Sequence, residues 1–243
     1  MAKKPYRNRN GFILWQGPSK IDGKPIVAIA TGFTRKTKNQ KTGQMIQTWI
    51  ERADKPAGEI RKAGEAGSIC GADRNGFRPC PLFKACYVDV SKAPTQVSKS
   101  FLAGAYDPFP GHSGADPAPW RFGSHGDPAA VPVSVWRRVV SGLNSWTGYT
   151  HQWRRAGYLA DFLMASVESA ESKREARKAG FRTFRVIRPA EQLQKDEILC
   201  PASPEAGRKT DCSRCGLCKG NASSARNVAI VAHGAGLPRA WRR

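Results

Sequence analysis

From residue 120 to residue 232 the chain alternates short apolar runs with amphipathic segments, and this alternation restricts its fold more than any other feature. Residues 120–124 (WRFGS) form an expected strand that ends at His125-Gly126-Asp127-Pro128. Residues 133–143 (VSVWRRVVSGL) carry apolar side chains at helical spacing. Further strands are expected at 147–153 (TGYTHQW), 162–167 (FLMASV), 183–187 (TFRVI) and 227–232 (NVAIVA), with a short one at 198–200. A charged helix is expected at 169–179, stopped by Gly180. Strands alternating with helices at this spacing pair in parallel through right-handed crossovers. A closed eightfold barrel takes about 250 residues by itself, so an α/β fold with a partial (β/α) barrel or an open sheet is expected. In such sheets function gathers at the carboxyl ends of the strands.

The front of the chain follows a different period. Phe12-Ile13-Leu14-Trp15 and residues 26–30 flank Asp22-Gly23, a hairpin signal, and residues 45–50 (MIQTWI) alternate like a third strand. Residues 36–43 (KTKNQKTG) form a basic turn that either follows a phosphate backbone or is simply solvated. The expected organisation is a basic arm and small antiparallel sheet over 1–50, then a cysteine-containing loop region over 51–119, partly helical at 54–69 and irregular and proline-rich at 105–119. The βα repeats follow over 120–243, with a cysteine-rich metal-binding excursion and a basic tail.

Lysine and arginine number 40 against 19 acids, a formal charge of +21. Such an excess attracts polyanions, of which phosphate backbones are the commonest, so nucleic acid is the expected partner, DNA before RNA. A mean hydropathy of −0.50 and the lack of a run near the roughly 20 apolar residues that span a bilayer give no expectation of a membrane partner. The basic N-terminus is not followed by an apolar signal core, so a cytoplasmic location is expected. In a reducing compartment the odd set of seven cysteines is expected to bind metal rather than form disulfides.

Cys200, Cys212, Cys215 and Cys218 follow the spacing C-x11-C-x2-C-x2-C. Thiolates this crowded repel one another unless a cation gathers them. A zinc ion would take these four, or three of them plus His233; a [4Fe–4S] cluster would take all four. Cys70, Cys80 and Cys86 form a looser group, C-x9-C-x5-C, beside Arg74, Arg78 and Lys84. The cations stabilise thiolates; the rival reading is three small apolar side chains in a loop. Three ligands with a vacant position suit a reactive site, either iron with a free coordination position or zinc with bound water.

The order of these features resembles the radical S-adenosylmethionine superfamily, although the family spacing is C-x3-C-x2-C. The resemblance implies that Cys70, Cys80 and Cys86 hold a [4Fe–4S] cluster, and that Gly126, Asp127 and Pro128 seat S-adenosylmethionine. It also implies that Ser166 and Glu168 meet the ribose, that His233-Gly234-Ala235-Gly236 approaches the adenine, and that the later cysteines hold a second cluster or zinc. The stretches KTGQMIQTW, SICG…CP…CY and GDPAAVP are similar to those of phage- and plasmid-encoded proteins, which implies DNA hypermodification in a host cytoplasm. A rival resemblance is to base-exchanging transglycosylases, with Asp127 as nucleophile and Cys212, Cys215, Cys218 and His233 around structural zinc. A third reading is a non-enzymatic zinc protein that binds nucleic acid.

His125 and His151, at expected strand ends, are candidate general acids or bases; a hydrogen-bonded structural role is the bland reading for His151. Tyr149 and Trp153 stack on a base or belong to the core. Arg137-Arg138 and Arg154-Arg155 grip phosphate or form a solvated face. Residues 238–243 make a basic aromatic tail.

Overall fold

The computed structural model describes residues 7–35, 37, 39–84, 86–112, 118–189 and 191–233. The start of the basic arm, Lys36 and Lys38 of the basic turn, part of the proline-rich connection, Gly234-Ala235-Gly236 and the basic tail lie outside the described residues. Strands β1 (Gly11–Pro18), β2 (Pro25–Thr31) and β3 (Ile46–Arg52) come first. Helices α1 (Ala57–Lys62), α2 (Gly67–Cys70) and α3 (Ala93–Leu102) follow. Next come β4 (Asp107–Pro108), β5 (Trp120–His125), α4 (Val133–Val140), β6 (Trp146–Thr150) and β7 (Met164–Val167). Helix α5 (Ala170–Lys178), β8 (Thr183–Ile187), β9 (Glu197–Leu199), α6 (Cys212–Cys215) and β10 (Asn227–Val231) complete the order.

All ten strands join one mixed sheet, in the order β4-β1-β2-β3-β5-β6-β7-β8-β10-β9. The sheet does not close; β4 and β9 are its edges. The front strands pair antiparallel, β1 with β2 and β2 with β3. From β3 onward every pairing is parallel. β3 therefore belongs to both halves, and all seven of its residues are buried. The parallel strands share a direction, so their carboxyl ends lie along one rim.

One face of the parallel half packs on helices. Trp120 and Phe122 of β5 meet Trp136 of α4, Phe162 and Leu163 in the main core. Val135, Trp136 and Val139 give α4 its buried stripe at three- and four-residue spacing, and Trp136 Nε1–H donates to the Pro128 carbonyl at 2.8 Å. Helix α5 starts in a reciprocal Ser169/Ser172 capping box. Trp153 is core, 3% exposed, with the Arg154 guanidinium stacked 3.9 Å from its ring.

Differences from expectation have local causes. The strand expected over 147–153 ends at Thr150, because Thr150 Oγ and the His151 amide both turn to the Asp127 carboxylate. The helix expected over 133–143 stops at Val140, where the turn closes through Gly142 and Leu143 amides. Helix α3 was not anticipated; it is held by Val97 and Phe101 against Trp49 and Tyr106. None of the seven cysteines is disulfide-bonded. Among the described residues no helix is long and apolar enough to cross a membrane.

Candidate functional site

The face of the parallel sheet opposite the helices lines a cavity of about 590 Å³. Alternate residues of successive strands supply its floor: Arg121 and Gly123 from β5, Thr147 and Tyr149 from β6, Ser166 from β7, Phe184 and Val186 from β8. Cys70, Cys80 and Cys86, all from the connection that follows β3, line one side, and Cys212 and His233 also reach it.

The first cysteine group is tied down by backbone and amide contacts. Cys70 ends α2, and the Asp127 amide donates to the Ile69 carbonyl at 2.6 Å, joining this loop to the end of β5. Gln152 clamps the loop twice. Its side-chain amide donates to the Arg78 carbonyl at 2.8 Å and the Cys70 carbonyl at 3.3 Å, and its oxygen accepts the Arg78 amide at 3.0 Å. Burial pushes the Cys70 thiol well above its usual range, and the neighbouring Cys80 and Cys86 sulfurs push it further by repulsion. Cys80 is raised to about 12, chiefly by burial, against the opposing hydrogen bond from the Leu82 amide. Among the described residues, no group of three or more His, Cys, Asp or Glu side chains is arranged to hold a single metal ion.

Polar residues gather at the carboxyl ends of the next strands. Asp127, 5% exposed, accepts from the Ala129 amide at 2.9 Å, Thr150 Oγ at 2.7 Å and the His151 amide at 2.7 Å. Burial still raises its carboxyl to about 6. His125 Nδ1 lies 2.8 Å from Glu51 Oε1, a fully buried carboxylate whose pKa burial raises against the pull of His125. Its second oxygen has no hydrogen-bond partner. Burial lowers His151 to about 4 and raises Glu168 to about 7. Their facing atoms, 3.8 Å apart, lack hydrogen-bond partners.

No family model, curated protein or solved structure matches the chain.

Of the residues singled out in the sequence, Cys70, Cys80, Cys86, His125, Gly126, Asp127, His151 and Ser166 therefore border one cavity. Pro128 and Glu168 do not line it: the Pro128 carbonyl is turned to Trp136, and Glu168 stands behind, sensed electrostatically by Cys80. Gln152, Glu51, Arg121 and Lys41 were missed. The one legible sign near them was the repeated Cys-Pro-x turn, at Cys80 and again at Cys200, in which the amide two residues on donates to the sulfur.

Of the second cysteine group, Cys200 and Cys218 are buried with Phe184, Val228 and Ile230, and Cys212, which also reaches the cavity, packs against them. The Cys212 amide donates to the Lys41 carbonyl at 2.8 Å, and the Gly148 amide to the Cys218 carbonyl at 3.1 Å, so the excursion is fastened to the front turn and to β6. Cys218 shares a hydrogen bond with Tyr149, and burial raises its thiol to about 12. Burial lowers Lys41, against the pull of the Cys200, Cys212 and Cys218 sulfurs. The His233 ring lies 6.4 Å from Tyr87 and its Nδ1 3.0 Å from the Val231 carbonyl.

The raised Glu168 pKa has a readable consequence. The fold favours the neutral carboxyl, so the stability associated with this group is complete below its usual value of 4.5 and is lost as pH rises through about 7. Glu168→Gln is expected to stabilise the protein by about 2 kcal/mol at pH 8 and by nothing measurable at pH 4. Paired denaturant titrations at the two pH values check this.

Proposed function

We propose that this chain is an iron–sulfur enzyme resembling the radical S-adenosylmethionine group and acting on a nucleic-acid base, in the setting of phage DNA hypermodification. One observation carries the reading. Three cysteines follow the first parallel strand, and the ends of the strands beside it bring His125, Gly126, Asp127, His151 and Ser166 to the same cavity. One sheet face lines that cavity while the other packs on helices, an arrangement that supports a partial (β/α) barrel. The volume lies in the range of small-molecule sites, roughly 300–1,000 Å³.

The donor chemistry fits a cluster at Cys70, Cys80 and Cys86. The sulfurs are close enough to repel, one already receives an amide hydrogen bond, and they face open space. A bound [4Fe–4S] cluster with a vacant iron supplies single electrons and a coordination position for S-adenosylmethionine. Burial raises the Cys70 and Cys80 thiols, so loading would release protons from them. Asp127 holds the ends of β5 and β6 together behind Gly126. Glu51 orients the His125 ring at the cavity wall, where an imidazole is placed for proton transfer. Cys200, Cys212, Cys215 and Cys218 are proposed to hold a second cluster or zinc.

The transglycosylase reading is weaker on one observation: the Asp127 carboxylate is buried and already accepts three hydrogen bonds, which blunts a nucleophile. Protein purified without oxygen is expected to be brown, to contain at least about four iron atoms with matching sulfide per chain, and to change its reduced-state electron paramagnetic resonance spectrum when S-adenosylmethionine is added. Cys80→Ser is expected to lose the S-adenosylmethionine response and about four irons. A colourless wild-type protein carrying zinc alone refutes the proposal.

A further inference from the structure

A second cavity, about 920 Å³, opens beside the first. The two share Asn39, Tyr87, Val88, Arg121 and Ser124 along a common wall. The second lies over the antiparallel half of the sheet, floored by Thr31 of β2 and Trp49 of β3 and walled by α3. Among the described residues five of its lining side chains are cationic, Arg7, Arg9, Arg35, Lys92 and Arg121, and only Asp89 is acidic. Arg7 is paired with Asp107, and Lys92 with Asp89 at 3.1 Å. Among the described residues the exposed guanidiniums of Arg9 and Arg35 have no acidic partner.

Arg121 is the unusual member. It is 9% exposed, its Nη2 meets the Tyr87 hydroxyl, and its buried Nε has no hydrogen-bond partner among the described residues. Among the described residues no carboxylate pairs with it. A buried cation without an anion costs several kcal/mol, and one placed at the junction of two cavities is poised for an anion from outside. Tyr87 beside it is half exposed, with the His233 ring 6.4 Å away, leaving an aromatic surface at the threshold.

We infer that this groove binds the sugar–phosphate backbone of a single nucleic-acid strand, and that the nucleotide at Arg121 and Tyr87 turns its base into the cysteine-lined cavity. The inference rests on the reading of that cavity as the place where a base is modified. Arg9 and Arg35 meet phosphates along the groove, Arg121 meets the phosphate of the turned-in nucleotide, and Tyr87 stacks on a base. A paired base cannot reach an interior cavity, so the groove takes a strand that is unpaired or locally opened, and a plain duplex binds less well.

The test uses fluorescence anisotropy with a labelled twelve-nucleotide single strand, as DNA and as RNA, and with the same DNA as a duplex, across a salt series. A tighter single strand of either sugar supports the groove, and the better of the two names the source. Arg9→Gln/Arg35→Gln is expected to weaken single-strand binding about tenfold and to flatten the slope of log K against log salt by about 1.4, roughly 0.7 per phosphate lost. Tyr87→Ala is expected to weaken it about tenfold with the slope unchanged. Arg174→Gln/Lys178→Gln, on the exposed side of α5, removes equal charge elsewhere and is expected to change nothing beyond twofold. The inference is overturned if the duplex binds as tightly as the single strand, if the groove variant binds like wild type, or if the α5 variant loses as much. Iron content and strand binding are measured together. Groove-dependent binding by a protein without iron leaves this inference standing and removes the iron–sulfur reading; an iron-loaded protein indifferent to Arg9 and Arg35 does the reverse.

Discussion

Glu197→Ala is expected to lower the unfolding free energy by about 3–5 kcal/mol. Glu197 opens β9 and its side chain is fully buried. Both of its oxygens bond the Arg185 guanidinium, at 2.8 Å and 2.7 Å, while Lys173 Nζ stands 3.3 Å away and the Gln194 amide donates at 2.9 Å. Burial alone would raise this carboxyl, but the Arg185 hydrogen bonds, the Gln194 amide and the charges of Arg185 and Lys173 together outweigh it and hold the group below its usual range. Arg185 and Lys173 are themselves 1% and 3% exposed. Removing the carboxylate leaves two cations in the interior with only Glu191 and Asp196 near the surface to answer them. Breaking one side of a buried ion group is costlier than replacing the whole group, so Glu197→Met with Arg185→Met is expected to recover much of the loss. Urea denaturation of the two variants decides the matter. A Glu197→Ala protein within 1 kcal/mol of wild type would show that the network is no support for β8, β9 and β10.

Gly71→Ala is the second large effect, expected at about 3 kcal/mol or more. Gly71 has φ 110° and ψ 139°, a backbone region that side chains exclude. A Cβ there would overlap the Arg78 carbonyl oxygen and the Gln152 side-chain amide. The first leads into Cys80, and the second is the clamp that also holds the Cys70 carbonyl. The methyl group therefore pushes apart the two segments that bring Cys70 and Cys80 to one cavity. Iron per chain is expected to fall together with the denaturation midpoint. Wild-type stability and iron content in this variant would mean that the Gln152 clamp does not set the cysteine geometry.

The strands were readable where a run of apolar residues met a turn signal on both sides. Residues 183–187 fall in register with β8, and Asp22-Gly23 sits between β1 and β2 as its dipeptide implies. Helix α3 was not readable. Its sequence, APTQVSKSFL, is rich in serine, threonine and a β-branched residue, poor helix formers by themselves. Packing of Val97 on Trp49, and a bond from the Ala57 amide to Ser98 Oγ at 2.9 Å, hold it in place. The site followed the same division. Cysteines and strand-end polar residues announced themselves by type and position. Their partners did not: Glu51 lies 74 positions from His125, in a strand whose pattern shows only burial. Gln152 stands in a run that resembles an ordinary strand, and its role depends on a loop more than 70 residues earlier. The insertion of β10 between β8 and β9 is likewise a choice among pairings that no local period records.

That insertion governs the order of events on the ribosome. β9 is made about 30 residues before β10, yet its backbone pairs with the sheet only through β10. Until residue 231 has left the exit tunnel, β8 presents a bare edge and β9 has no neighbour. The intervening stretch carries Cys200, Cys212, Cys215 and Cys218 in a still-unclosed chain, and on the metal reading proposed above that is the interval in which a cation would meet the four sulfurs before β10 completes the sheet.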